Sequence, residues 1–341
     1  MLKSIEWKNG KVVILDQTLL PHRIEYIECS DYREVRDAIK KLGIRGAPAI
    51  GIAAAMGIAL GASNLRTEDR KEFLASIDLI MKEMLETRPT AVNIRWAVER
   101  LRKIININNK TSVSELKELI KKEAIKILEE DIETNRAIGL NGVVLIKEKM
   151  NILTHCNAGA LATGGYGTVT APMFIARERG IKFHVFVDET RPVLQGARLT
   201  TLELMNAGID CTLITDNSAG ALMKKRLIDM VLVGADRITK KGDVANKIGT
   251  YSLAVLAREN RVPFYVAAPV SSIDFTILDG NDIPIEERPE EEVTTVMGVR
   301  IAPEGVKALN MAFDVTPSDY ITGIITEKGI FRPEELKDLT Y

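Results

Sequence analysis

Residues 151–168 read NILTHCNAGALATGGYGT: a short apolar run, a cysteine and a glycine-rich loop. Four more apolar runs follow, KFHVFV at 182–187, DCTLI at 210–214, MVLV at 230–233 and PFYVA at 263–267. Helical patterns lie between them at about 169–179, 194–207, 218–227 and 246–261. Short continuous strands alternating with helices predict a parallel sheet covered on both faces. Ligands of such sheets bind beyond the carboxyl ends of the strands. The candidate site therefore comprises the residues after each run: Cys156 and its loop, Asp188 to Pro192, Thr215 to Ser218, Gly234 to Arg237, and Ala268-Pro269. Asp216, Asn217 or Ser218 would serve equally well as a cap for the next helix.

Upstream the texture differs. The first 30 residues read as short strands and turns, with Asn9-Gly10 a hairpin signal. From Asp31 to about Gly142 the apolar spacing is helical. Thr67-Glu68-Asp69 can start a helix that runs through Leu85 and ends before Pro89, and Ser112 or Ser114 can cap a long one. The change of texture divides the chain near residue 130, giving an α/β protein with domains at 1–130 and 131–341.

Composition narrows the class. Of 341 residues, 46% are hydrophobic, and 46 basic side chains face 47 acidic ones, for a net charge of −1. This is globular composition without the basic excess of a nonspecific nucleic-acid or acidic-membrane binder. Three cysteines without a CxxC, and three histidines without an HExxH, argue against a disulfide framework and against zinc, and fit a reducing cytoplasm. The N-terminus carries no apolar signal core. Gly46–Leu65 has 20 uncharged residues, enough to span a bilayer, but it contains Pro48 and four glycines and reads as a helix buried inside the protein. Ile285–Val293 reads as a solvated acidic loop, and Pro333–Tyr341 as a segment that packs at a dimer interface or frays.

Gly165-Tyr166-Gly167, with Asp188 at a later strand end, resembles part of a dinucleotide fingerprint. The third glycine is replaced by Thr170 and the loop is too long for the tight turn, so a nicotinamide cofactor is not expected; a P-loop sequence is absent. Cys156 ends a strand at a loop whose amides can lower a thiol pKa, whereas Cys29 and Cys211 read as bystanders. Asp236 ends an apolar strand, where a carboxyl can have a raised pKa and act as an acid, or can instead pair with Arg237. Arg45-Gly46-Ala47-Pro48 and Arg88-Pro89-Thr90 place cations and glycine or proline turns ahead of helices, and Asn246-Lys247 is expected to open another. Together they imply a phosphate-bearing ligand.

Nine segments carry a specific resemblance: DQTLLP (16–21), IRGAPAIG (44–51), RPTAVN (88–93), HCNAG (155–159), TGGYGT (163–168), DETRPVLQGAR (188–198), TDNS (215–218), GADR (234–237) and ANKIGT (245–250). As a set they resemble the methylthioribose-1-phosphate isomerase family. That family belongs to a larger group with the regulatory subunits of translation initiation factor 2B and ribose-1,5-bisphosphate isomerase. The resemblance implies an N-terminal mainly helical domain, a C-terminal Rossmann-like domain, an active site in the cleft between them, a homodimer and no metal or nucleotide cofactor. It implies Cys156 and Asp236 as the catalytic pair, and Arg45, Gly46, Ala47, Arg88, Gln195, Asn246 and Lys247 as substrate-binding residues. The expected activity is aldose–ketose isomerisation of 5-methylthioribose 1-phosphate in methionine salvage. Alternatives are a related sugar 1-phosphate as substrate, or a non-catalytic regulatory subunit that has no need of the Cys156/Asp236 pair. The uncharged 46–62 stretch and Trp96 are compatible with an apolar pocket for a thiomethyl group.

Overall fold

The structure, a computed structural model, describes residues 2–89 and 91–339. Thr90 of the RPTAVN segment and the final Thr340-Tyr341 lie outside the described residues. The chain divides into two compact units, Leu2–Glu133 with Ala160–Gly167, and Thr134–Gly159 with Thr168 onward.

The first unit opens with an antiparallel sheet of Ile5–Lys8, Lys11–Leu15 and Tyr26–Cys29. Asn9 and Gly10 both take positive φ, 51° and 76°, which matches the hairpin to the strand twist. Helices follow at Tyr32–Lys40, Ala47–Asn64, Arg70–Leu85 and Val92–Ile107, and the helix Val113–Gly142 begins here. Their starts obey the capping rules: Asp31 and Glu34 form a capping box, Asp69 caps through the Glu72 amide, and Ser112 pairs reciprocally with Glu115. The Ala47–Asn64 helix is the core element. Every residue from Ala49 to Ala62 is buried, and the helix packs against the three helices Tyr32–Lys40, Arg70–Leu85 and Val92–Ile107. Its alanines and glycines permit that approach, so its low polarity reflects burial on all sides. The stretch consequently offers no separate argument for an apolar ligand pocket. Trp96 is 40% exposed and stacks against the Arg100 guanidinium.

The second unit is built on a seven-stranded sheet. In spatial order its strands are Gly329–Phe331, Gly323–Thr326, Phe264–Ala267, Met230–Val233, Asn151–Thr154, His184–Asp188 and Asp210–Ile214. All pairs are parallel except the first, where Gly329–Phe331 runs antiparallel at the edge. All five apolar runs are strands of this sheet. The chain moves outward from Asn151–Thr154 in one direction, then returns to its other side with Met230–Val233. The order thus reverses between those two strands, and such a reversal leaves a crevice at the carboxyl edge. Helices Thr170–Glu178, Thr201–Asn206, Ala219–Lys224 and Thr250–Asn260 connect the strands. A second sheet, in the order Ile273–Asp274, Arg237–Thr239, Val244–Lys247, Phe313–Thr316, grows from the segment after Met230–Val233.

The acidic segment 285–293 differs from its expectation. Arg288 forms ion pairs with Glu286 at 3.2 Å and Glu292 at 2.5 Å, and these side chains are about four-fifths buried. Asn310 donates to Glu292 as well. One arginine flanked by two carboxylates ties Glu286 and Glu292 into an ion cluster, while Glu287, Glu290 and Glu291 stay exposed, so the segment is solvated only in part.

Candidate active site

Cys156 follows Asn151–Thr154, and Asp236 follows Met230–Val233. The two strands pair in register, Ile152 with Met230 and Leu153 with Val231. Both residues therefore stand at the carboxyl edge on either side of the point where the strand order reverses. The loops touch just beyond the thiol. A Cβ added to Gly234 would lie 2.6 Å from the Ala158 Cβ, so only glycine allows the Asp236 segment this close to the Cys156 loop.

Cys156 has a left-handed backbone, φ 63°, which L-residues other than Asn, Asp and Gly seldom adopt. Two threonines hold it there. The Cys156 amide donates to Thr190 Oγ1 at 2.8 Å, and Thr200 Oγ1 donates to the Cys156 carbonyl at 2.6 Å. Thr190 Oγ1 donates in turn to the Asp188 carbonyl at 3.0 Å. Thr190 and Leu194 are also left-handed, at 65° and 61°. Strain of this kind persists only where surrounding bonds over-determine it, and it gathers at working sites. The neighbouring Asn157 is buried and donates to Thr200 Oγ1 and to the buried Glu203 carboxylate. All three cysteines are thiols. Burial pushes Cys29 up to about 12 and raises Cys211, so neither ionises near neutrality.

Asp216 is not a helix cap. Its carboxylate accepts from the Thr190 and Arg191 amides, each at 2.7 Å, and so braces the loop that carries Thr190 to Gln195. Gln195 is buried, and its Oε1 has no hydrogen-bond partner, so it presents an unsatisfied acceptor at the start of the π-helical turn Gly196–Thr200. Asp188, weighed above as a ribose-binding acid, is fully buried against His155, with Oδ2 2.9 Å from Nδ1.

Asn246 and Lys247 do not open a helix. They end the strand Val244–Lys247, whose Ala245 carbonyl accepts from the Asp236 amide at 2.9 Å. The following helix starts at Thr250, and Asp314, from the paired strand, accepts from the Gly249 and Tyr251 amides. That helix N-terminus already holds a carboxylate, so it is not a vacant anion site. Asn246 donates to Thr250 Oγ1, and Lys247 Nζ donates to the Ala312 carbonyl while lying 4.8 Å from the Phe313 ring centre.

The remaining expected residues belong to the first unit. Gly46 precedes the Ala47–Asn64 helix with φ 91°, and a Cβ there would sit 2.6 Å from the Ala162 backbone. Both facts require glycine. Gln17 Nε2 donates to the Leu161 carbonyl at 2.7 Å and Ser4 Oγ to the Thr163 carbonyl at 2.5 Å. The segments DQTLLP, IRGAPAIG and the 160–167 turn thus converge. In that turn Thr163 Oγ1 accepts from the Gly165 and Gly167 amides, at 3.1 and 3.2 Å. Those amides are committed within the loop. Arg45 and Arg88 are half-buried, directly before Gly46 and Pro89.

Among the described residues, His155, Asp188 and Asp216 place ligand-type atoms within 4.8 Å of one another. A cation there would have to displace the His155–Asp188 hydrogen bond, and both Asp216 oxygens already accept backbone amides.

A parallel sheet whose order reverses between a strained cysteine and an aspartate is the arrangement of α/β proteins that bind ligands at the carboxyl edge. The family model for the initiation factor 2 subunit family matches residues 43–333, and the chain belongs to that family. A methylthioribose-1-phosphate isomerase of Geotalea uraniireducens is 55% identical over 337 residues, covering 99% of this chain and 97% of its own. The crystal structure of 5-methylthioribose 1-phosphate isomerase from Pyrococcus horikoshii OT3 has a TM-score of 0.93 and 46% identity, over 99% of this chain and 95% of that one. The translation initiation factor eIF-2B subunit delta from A. fulgidus has a TM-score of 0.88 and 45% identity, over 98% and 97%.

Proposed function

We propose that this protein is an aldose–ketose isomerase that converts 5-methylthioribose 1-phosphate to 5-methylthioribulose 1-phosphate, a step of methionine salvage. The observation that carries the reading is the strained Cys156 and Asp236 on loops that follow neighbouring strands at the strand-order reversal, in a chain similar end to end to proteins of that name. The regulatory-subunit reading gives this pair no task. On our reading the first unit is a mainly helical domain and the second a Rossmann-like domain. The protein works as a cytoplasmic homodimer without metal or nucleotide cofactor.

The substrate's chemistry sets the roles. Its anomeric oxygen carries phosphate, so the ring cannot open by losing an anomeric hydroxyl proton. Opening begins instead with protonation of the ring oxygen, which becomes a hydroxyl as its bond to C1 breaks. Asp236, as a neutral acid, supplies that proton. Cys156, as thiolate, removes the C2 proton and returns it to C1, while the C2 hydroxyl gives its proton to the Asp236 carboxylate as the ketone forms, which restores the neutral acid. The alternative is a direct hydride shift from C2 to C1, with Cys156 stabilising the transition state. Arg45, Gly46, Ala47, Arg88, Gln195, Asn246 and Lys247 bind the substrate, the cations facing its phosphate. Turnover of purified protein on 5-methylthioribose 1-phosphate, ribose 1,5-bisphosphate and 5-deoxyribose 1-phosphate tests the reading. Preference for the thiomethyl sugar supports it. Preference for another sugar transfers the reading to that substrate, and no turnover of any sends it to the regulatory class.

A further inference from the structure

His155 has no role in the chemistry above, yet both nitrogens of its ring are engaged. Nδ1 lies 2.9 Å from Asp188 Oδ2, and Nε2 lies 2.9 Å from the Ile248 carbonyl oxygen. The side chains of His155 and Asp188 are each 1% exposed. A carbonyl oxygen only accepts, so Nε2 carries a hydrogen. A second proton must then sit between Nδ1 and Oδ2, because two lone pairs at that separation repel. The other Asp188 oxygen, Oδ1, is buried with no hydrogen-bond partner. An ionised Asp188 without a protonated partner would be a nearly unsolvated charge, which is costly. With one proton in the gap the pair is neutral overall. Acidic groups bear on it from two sides, Asp216 and Glu189 on the loop side and Asp314 from the small sheet. Burial works against a charged imidazole, but the bond and charge of Asp188, aided by Asp216, outweigh it and hold the His155 proton above the ordinary histidine range.

The ring joins three pieces of the site. It precedes Cys156, it grips Asp188 at the root of the loop to Gln195, and it holds the carbonyl next to Lys247. We infer that His155 is a positioning residue, a proton-bearing buried clasp that sets the Cys156 thiol, the Gln195 loop and the Lys247 strand end relative to one another. The inference rests on the isomerase reading for the tasks of those three residues, but not for the clasp itself.

The test is ring-nitrogen NMR of the full chain labelled at histidine, with His155 assigned by His155→Gln, alongside iodoacetamide alkylation of Cys156 in a Cys29→Ser/Cys211→Ser background. We expect the wild-type His155 ring to keep protons on both nitrogens at pH 7, above the ordinary histidine range. Asp188→Asn removes the Nδ1 proton, since an amide N–H then donates to that nitrogen. Asp188→Leu changes the Cys156 alkylation rate severalfold and lowers kcat about tenfold or more with little change in KM, and Asp188→Asn regains most of that loss. A wild-type Nδ1 proton already lost by pH 7, or an alkylation rate unmoved by Asp188→Leu, overturns the inference. The wild-type spectrum decides even if the leucine variant fails to fold. No turnover on any sugar, with the proton and alkylation results as expected, would remove the isomerase reading and leave the clasp.

Discussion

Replacing Thr190 by valine deletes one oxygen and keeps the β-branch, so the strain of a β-branched residue at φ 65° is the same before and after. The lost hydroxyl accepts from the Cys156 amide at 2.8 Å and donates to the Asp188 carbonyl at 3.0 Å, in a fully buried position. Leaving a buried donor unmet costs about 1–3 kcal/mol. Cys156 is itself held in a left-handed conformation that costs roughly 1–2 kcal/mol, and release of that strain returns part of the loss. The expected destabilisation is therefore about 1–3 kcal/mol by urea unfolding of the full chain. The functional effect should be larger. With its amide untied, Cys156 relaxes toward ordinary backbone and the sulfur moves. A displacement near 1 Å lowers turnover about a hundredfold, with KM little changed. Thr190→Ser keeps the hydroxyl and should stay near wild type. Unfolding within about 0.5 kcal/mol of wild type, combined with unchanged turnover, would refute the claim that this bond holds the cysteine.

Asp236→Asn should keep substrate binding and lower kcat by orders of magnitude; a near-normal kcat would remove Asp236 as the acid. Turnover in deuterated water separates the two hydrogen-transfer routes: deuterium at C1 of the product requires a proton held by the protein, and its absence at low conversion favours the hydride shift or a fully shielded base. Gly46→Ala should destabilise the first unit by about 2 kcal/mol or more, since it adds strain at φ 91° to a 2.6 Å contact with the Ala162 backbone, and a melting temperature equal to wild type would contradict this. Burial pushes Asp188 up to about 6, against the pull of His155, and His155 is raised too. Both shifts are upward, so the folded state holds these protons more tightly and the pair's contribution declines as pH rises. The Asp188 share, about 3 kcal/mol, is present below its ordinary value near 3.8 and is lost by about pH 6; the His155 share is lost from about 6.5 upward. Urea midpoints of wild type and Asp188→Asn at pH 4 and pH 7 check this: the wild-type advantage should shrink over that interval, and a constant difference would contradict the shift.

Much of the frame is legible in the residues. Apolar runs such as MVLV and PFYVA are strands because a central parallel strand is buried on both faces and must be apolar throughout. Caps at Asp31, Asp69 and Ser112 are local bonds spanning three residues, so spacing alone reveals them. The strands Gly323–Thr326 and Phe313–Thr316 escaped this reading because each is only four residues long and pairs with a strand more than 50 residues earlier in the chain. Asn246-Lys247 read as a helix start because their strand is only four residues long, and the partner that Asn246 and Lys247 themselves face, Phe313–Thr316, is about 70 residues away.

The sequence by itself determined the five apolar strands and most of the helices of the first unit, where Cys156 and Asp236 fall at strand ends, and that one helix is apolar on every side, because these depend on local spacing and on the solubility of side chains. Only the tertiary structure decided that those two strands are neighbours at the reversal of the sheet, that Thr190 and Thr200 hold Cys156 in a strained backbone, and that Asp188 serves His155. Those partners are 33 to 44 residues apart in the chain, and no local property of a threonine or an aspartate states which distant amide or imidazole it will meet.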